Sequence, residues 1–311
     1  MSAQPTPLAI VGVGKIARDQ HIPTIAASDA FTLAATVTRH NTLPDVPNYG
    51  SIAELVAGQP KVRAIAICTP PRGRIALIRD AVAHGLDILL EKPPAATVTE
   101  AEAIVAAIAG SDSVLHVTWH SREAAAVEPA RAWLQDRRIA RVTVSWREDV
   151  RVWHPGQEWI WEPGIGVFDP GINALSILTR ILPHPLSLAR ATLAFPANKA
   201  APIAADLVLD DGTDAAIAVG FDFDQRGPQT WDIAIQTDDG VLTLTAGGSA
   251  MAVDGVTQAV PDEPEYARLY ARFAELIATR QSDTDLQPFR LVADAYLLGV
   301  RREVAAFDWN G

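Results

Sequence analysis

Residues 8–17 read LAIVGVGKIA. An apolar run of strand length ends in Gly12-Val13-Gly14-Lys15-Ile16-Ala17, a G-x-G-x-x-A turn at the mouth of a helical pattern. In a dinucleotide-binding turn the first glycine makes the tight bend and the second lets backbone amides approach a pyrophosphate. The third position needs only a small residue where helix and strand pack, and Ala17 meets that need. The helix N-terminus supplies the positive end for the phosphates. Gly12, Gly14, Lys15 and Ile16 are therefore candidate cofactor contacts. Alone the hexamer is a weak signal, because glycine-rich turns of this kind also occur without ligands.

Its surroundings strengthen it. Apolar runs at Leu8–Val13, Phe31–Val37, Ala64–Cys68, Asp87–Leu90 and Val114–Trp119 alternate with helical patterns near 15–28, 51–58, 72–84 and 99–109. Such alternation predicts a parallel sheet covered on both faces. Ser51 with Glu54 and Thr97 with Glu100 have capping-box spacing, and Gly85 stands where a helix end favours a left-handed residue. At the end of the second strand, where an acid commonly meets the ribose of NAD, the chain has Thr38-Arg39-His40. Arg39 is suited to a 2′-phosphate and Thr38 to a hydrogen bond with it, so NADP is expected, with NAD also usable. The alternative is an ordinary solvated arginine. Cys68-Thr69-Pro70 and Glu91-Lys92-Pro93 end two further strands, at the carboxyl edge where open α/β sheets bind ligands. Cys68 has no base near it in sequence and reads as a small buried residue beside the cofactor rather than a nucleophile.

After about residue 120 the pattern changes. A helix over about 122–136, kinked at Pro129, leads to a strand at Ala140–Glu148, and a Trp/Pro/Gly-rich stretch follows at 151–165. A second helix runs to about Leu182. Segments from 186 to 256 alternate as strands between turn signals such as Asp-Asp-Gly at 210–212 and 238–240, and helices are expected near 263–280 and 288–307. The expected fold is an α/β Rossmann domain (1–120) followed by an α+β domain (121–311) with a large open, mostly antiparallel sheet, the site lying between them.

Composition narrows the function. Lys+Arg 26 against Asp+Glu 37 gives a net charge of −11, with no basic run, which disfavours nucleic acid and anionic membranes. No apolar run approaches membrane-span length and the N-terminus, MSAQPTP, lacks signal-peptide character, so a soluble cytoplasmic protein is expected. One cysteine excludes an internal disulfide. No histidine/carboxylate set has metal-ligand spacing, so no metal is expected.

The fingerprint, Glu91-Lys92-Pro93 and the sheet-rich second half together resemble the glucose–fructose oxidoreductase/inositol dehydrogenase family. A narrower resemblance, to its bacterial L-arabinose 1-dehydrogenase/D-galactose 1-dehydrogenase group, is carried by GKIARDQH (14–21), TWHS (118–121), REDVRVWHPGQEWIWEPG (147–164) and FDPGIN (168–173). It implies oxidation of a sugar hydroxyl by a nicotinamide cofactor without metal, and it is compatible with a homodimer. Many family members carry D-x-G-x-H where this chain has Asp169-Pro170-Gly171-Ile172-Asn173, a variant that the sugar 1-dehydrogenase group shares. Asn173 takes no proton at useful pH, so the base falls to Asp169, with Lys92 holding the reacting oxygen or the cofactor ribose.

Asp169 has two readings. Asp-Pro is a natural N-cap pair, and a capping carboxylate is a poor base. If instead the helix starts near Gly166, Pro170 still lies in the first turn, and Asp169 and Asn173 share one face at i and i+4. His120 and Glu148, at strand ends, and Asn173 suit sugar hydroxyls. Six of the eight tryptophans lie between 119 and 161. Indole faces suit the C–H faces of a pyranose, so Trp153, Trp159 and Trp161, in the loop, are candidate sugar contacts alongside His154. Trp133 and Trp146 read as core. His84 and His116 read as structural, and His21 is open between structural and site-lining. The leading expectation is an NADP-preferring aldose 1-dehydrogenase for L-arabinose or D-galactose. A same-fold enzyme for another sugar or cyclitol is second, and a non-catalytic dinucleotide-binding sensor third.

Overall fold

The computed structural model describes residues 4–310. It forms two compact units: residues up to His120 with Pro264–Leu286, and Ser121–Glu263 with the segment from Gln287 onward. In the first unit, β1 (Thr6–Val11), β2 (Phe31–Val37), β3 (Asn48–Tyr49), β4 (Ala64–Ile67), β5 (Asp87–Glu91) and β6 (Leu115–Thr118) are joined through α1 (Ile22–Ala26), α2 (Ile52–Gly58), α3 (Arg74–Ala83) and α4 (Val98–Ala109). All five strand pairs are parallel and the order is β3-β2-β1-β4-β5-β6, the arrangement of a dinucleotide-binding sheet. β4, β5 and β6 are buried along their whole length, as the continuous apolar runs require when both faces are covered. The expected caps form: Ser51 Oγ accepts from Glu54 N and Thr97 Oγ1 from Glu100 N. Gly85 takes the left-handed conformation, with φ +64°.

The second unit begins with α5 (Val127–Leu134), β7 (Ile139–Arg147), the short α6 (Val150–Trp153) and α7 (Phe168–Ile181). The long helix kinked at Pro129 that the sequence predicts does not form. Pro129 stands in the first turn of α5, where its missing N–H costs nothing, and His120–Glu123 form a separate 3₁₀ turn. Then come β8 (Ser187–Pro196), β9 (Ala204–Asp210), β10 (Ala216–Asp222), β11 (Thr230–Thr237), β12 (Gly240–Thr245), β13 (Ala250–Val253) and β14 (Val256–Thr257). The helix α8 (Glu265–Thr279) follows, and the chain closes with α9 (Gln287–Leu298) and β15 (Val300–Val304). The nine strands run in the order β14-β13-β12-β11-β7-β10-β9-β8-β15, antiparallel except for the β7/β10 and β8/β15 pairs. Alternate residues of β10, Ile217, Val219 and Phe221, are buried, and α7 packs on β7 between α5 and α9.

Two further expectations change. The sequence pattern places everything after residue 120 in the second domain, but α8 belongs with the first unit. Its Tyr266, Leu269, Tyr270, Phe273 and Leu276 make one apolar cluster with Leu8, Ile10, Ala64, Ala66 and Leu89 of the parallel sheet. The following segment also pairs with β6, through Val117 N to Asp283 O at 3.0 Å and Asp283 N to Leu115 O at 2.8 Å. The last helix stops at Leu298 rather than 307. Gly299 bonds back to Ala295 O at 2.9 Å, and Val300–Val304 then find ladder partners along the edge of β8.

Candidate active site

The turn after β1 is built as the spacing requires. Gly12 has φ +89°, and a Cβ there would lie 2.8 Å from Thr69 Cγ2 and 3.1 Å from Thr69 N. Only glycine fits where β1 and β4 diverge, the point at which the strand order reverses. A Cβ on Gly14 would meet no protein atom within 4 Å, so the chain's own packing does not demand the second glycine. Space for a close-approaching phosphate does explain it. Ala17 is fully buried. Lys15 and Ile16 are exposed, and Lys15 pairs with Asp19 one turn on. Cys68 is buried after β4, its N–H bonded to Val11 O at 2.8 Å, and Pro70 is exposed. The Thr69 hydroxyl between them is buried without a hydrogen-bond partner among the described residues. At the end of β2, Arg39 and His40 are exposed, while Thr38 turns its hydroxyl to the His40 backbone. A diphosphate at the turn and a phosphate near Arg39 fit these residues.

Glu91, expected from sequence to meet the cofactor, instead turns into the protein. It is 3% exposed and both its oxygens are engaged. Oε1 accepts from Tyr266 Oη at 2.9 Å and lies 2.9 Å from His21 Nε2, while Oε2 accepts from Lys92 N at 3.0 Å. His21 reaches it from a π-helical turn, Ala17–His21, and its Nδ1 lies 2.8 Å from Tyr270 Oη. Burial works against a charged Glu91. The His21 hydrogen bond and charge outweigh it, with help from His120 and Tyr266, and hold the carboxyl at about 2. Burial likewise opposes charge on His21, and the Cys68, Tyr270 and Glu91 groups around it overcome that and raise it well above 6.5. Arg74 is buried beside them. Its guanidinium donates to the carbonyls of Thr69, Glu91 and Pro93, tying the ends of β4 and β5 together. Lys92, half-buried, also donates its backbone N–H to Thr118 Oγ1 at 3.2 Å. His120 sits 2.7 Å from Glu265 Oε2 and stacks on Tyr266.

In the second unit the structure answers the question at Asp169. Gly166 has φ +62°, with its N–H on Ile160 O at 2.8 Å, and Val167 N bonds Pro202 O at 2.8 Å. These bonds start the helix early. Val167 already has helical angles, Asp169 N donates to Gly166 O at 2.9 Å, and no side chain caps the helix. Asp169 is thus the second residue of α7 and Pro170 the third, inside the first turn rather than at the N-cap. Its Oδ2 lies 3.3 Å from His154 Nε2, and both side chains remain partly exposed. Asn173, half-buried, follows one turn on along the same face. Gly171 is required by packing, since a Cβ would lie 2.7 Å from the Phe221 ring.

Around this pair, His154 meets Trp159 edge-on at 5.4 Å and Phe223 at 5.9 Å. Trp159 is 44% exposed and donates to Gln157 Oε1 at 2.9 Å. Trp153 is similarly exposed and packs on Trp231, which itself lies against Trp146. Trp231 also donates to Glu148 Oε2 at 3.1 Å, so the buried Glu148 has one oxygen already engaged. Trp161 corrects its expected role as a sugar contact: it is 4% exposed, wedged among Phe307, Trp309 and Phe223, because its 3₁₀ turn points it inward. Sequence reading also missed Tyr266, Tyr270, Arg74 and Trp231. The i, i+4 spacing of the two tyrosines put them on one helical face, but nothing local named their partner. Among the described residues no three His, Cys, Asp or Glu side chains are grouped to hold a metal ion, and no helix is long and apolar enough to cross a membrane.

A family model described as an oxidoreductase family with an NAD-binding Rossmann fold matches residues 7–119. Over 98% of its length the chain is 46% identical to galactose 1-dehydrogenase of Pseudomonas fluorescens, covering 99% of that protein. The chain belongs to this oxidoreductase family. Its structure superposes on the crystal structure of a D-galactose-1-dehydrogenase protein from Rhizobium etli with a TM-score of 0.95, at 46% identity and 99% coverage of both chains. The family fold extends further. A 3-ketoreductase from Actinomadura kijaniata, crystallised with NADP, aligns at a TM-score of 0.79 over 96% of this chain and 99% of its own, with 15% identity.

Proposed function

We propose that this oxidoreductase is an aldose 1-dehydrogenase that oxidises C1 of D-galactose, L-arabinose or both to the lactone, with NADP preferred and NAD also accepted. The two sugars share ring stereochemistry from C1 to C4 and differ at C5, so one pocket suits both. The observation that carries the reading is Asp169: a carboxylate inside the first turn of α7 rather than at its N-cap, partly exposed and 3.3 Å from an imidazole nitrogen. The full-length similarity to galactose 1-dehydrogenase supports the substrate class.

The nicotinamide cofactor, when bound, supplies the hydride acceptor. The other tasks fall to this chain. Asp169 removes the C1 hydroxyl proton, and His154 holds its rotamer by the contact at Oδ2. The Lys92 ammonium steadies the oxygen as negative charge develops on it. Glu148, oriented by Trp231, and His120, oriented by Glu265, bind sugar hydroxyls together with Asn173, whose amide both donates and accepts. Trp153 and Trp159 offer their flat faces to the ring. Gly12, Gly14, Lys15 and Ile16 hold the pyrophosphate, and Thr38, Arg39 and His40 the 2′-phosphate. Cys68, Thr69 and Pro70 border the cofactor. The reading includes a cytoplasmic location and a homodimer.

The test is purified protein with D-galactose, L-arabinose, D-xylose and myo-inositol, each with NAD and NADP, followed by formation of reduced cofactor. The expected result is rapid reduction with the first two sugars, faster with NADP at low cofactor. Turnover of myo-inositol alone would move the assignment to a cyclitol enzyme, and no turnover of any aldose would overturn it.

A further inference from the structure

The segment Glu91-Lys92-Pro93 is gripped from two sides. The buried Arg74 guanidinium donates to the carbonyls of Glu91 and Pro93, on either side of Lys92. The Lys92 N–H is received by Glu91 Oε2 and by Thr118 Oγ1. The Glu91 carboxylate is itself immobile, because Oε1 is shared by Tyr266 Oη and His21 Nε2, and His21 is fixed in turn by Tyr270 Oη. These groups are buried, and they come from the helix after the phosphate turn, from β5 and from α8. A carboxylate, an imidazole and two phenols buried together cost desolvation that an apolar cluster would not. Holding the shape of a core does not require them. They do converge on one backbone N–H, that of Lys92.

We propose that His21 is a positioning residue for the reaction: through Glu91 it fixes the backbone from which the Lys92 side chain reaches the reacting oxygen. The proposal rests on the role assigned to Lys92 above. The π-helical turn fits it, since a wider turn lets His21 point inward at Glu91 immediately after the phosphate-binding segment. Cofactor turn and lysine are thereby fixed to one another within a single unit. The other groups facing His21 are Cys68 beside it, Tyr266 and Tyr270 from α8, and, beyond Glu91, His120.

The experiment compares His21→Leu, His21→Gln and Tyr266→Phe, alone and in a Lys92→Ala background. It measures kcat and KM for D-galactose, NADP affinity by tryptophan quenching, and melting temperature. His21→Leu should lower kcat about 100-fold, the scale of a small misplacement of a reacting group. NADP affinity should stay within about threefold, because the phosphate turn is untouched. His21→Gln, whose amide can still donate to Glu91, should recover most of kcat. Tyr266→Phe removes one hydroxyl and folds even if His21→Leu does not; it should lower kcat about tenfold. In the Lys92→Ala background neither change should lower the residual kcat further. Unchanged kcat with a lowered melting temperature would overturn the proposal, leaving His21 a packing residue. Additive losses in the Lys92→Ala background would also overturn it. Full kcat in Lys92→Ala alone would remove the role assigned to Lys92, and this proposal with it.

Discussion

Replacing Glu91 by glutamine keeps the shape of the buried cluster and removes its charge. Glu91 is held at about 2, against 4.5 for an ordinary glutamate, because the His21 bond and charge outweigh the cost of burial. At about 1.4 kcal/mol per pH unit, that gap is roughly 3 kcal/mol of folding stability. Its folded value lies below its unfolded one, so this contribution is whole above pH 4.5 and is lost as pH falls towards about 2. His21 carries the opposite sign: raised well above 6.5, it contributes fully below that pH and loses its contribution as pH rises through the folded value. Between 4.5 and 6.5 both contributions are intact. Urea unfolding followed by tryptophan fluorescence should therefore show Glu91→Gln less stable by about 3 kcal/mol near pH 6. The glutamine also removes one of the groups that raise His21, so the His21 contribution should be smaller in the variant. A loss under about 1 kcal/mol would refute the reasoning.

Three further outcomes follow from single contacts. Gly171→Ala drives a Cβ to 2.7 Å from the Phe221 ring, so it should cost about 1–3 kcal/mol, read as a lower melting temperature. Arg39→Ala should raise KM for NADP about tenfold or more and leave KM for NAD nearly unchanged; equal effects would return Arg39 to an ordinary surface role. Trp159→Ala should lower kcat/KM for the sugar with little change in melting, because the ring is half-open to solvent, whereas Trp161→Ala should cost about 3–5 kcal/mol of stability.

The Rossmann half was legible because its signals are local. The strand, the Gly12-Val13-Gly14 turn and the small Ala17 all lie in one short run of sequence, and Ser51 and Thr97 cap helices three residues away from their partners. What could not be read were long-range pairings. His21 meets Glu91 and Tyr270 at separations of 70 and 249 residues, and no periodicity encodes that. α8 carried an amphipathic pattern but no label for which sheet it would cover. Val300–Val304 continued a helical pattern until β8 offered an edge to pair with. At Asp169 the Asp-Pro pair served two conformations equally well, and the choice was made by Gly166 and Pro202, whose carbonyl takes the Val167 N–H. Trp159 and Trp161 are two residues apart in one short turn, yet one is open and the other buried. Composition placed both near the site, and only their orientation separates them.

The central claim is that Asp169 removes the proton from the sugar's C1 hydroxyl. It is tested most directly by mixing D-galactose rapidly with NADP-loaded Asp169→Asn protein and following reduced nicotinamide. The account predicts that hydride transfer slows by about 10²–10⁴-fold, while NADP affinity and melting temperature stay close to those of the parent. Transfer at nearly the parental rate would contradict it.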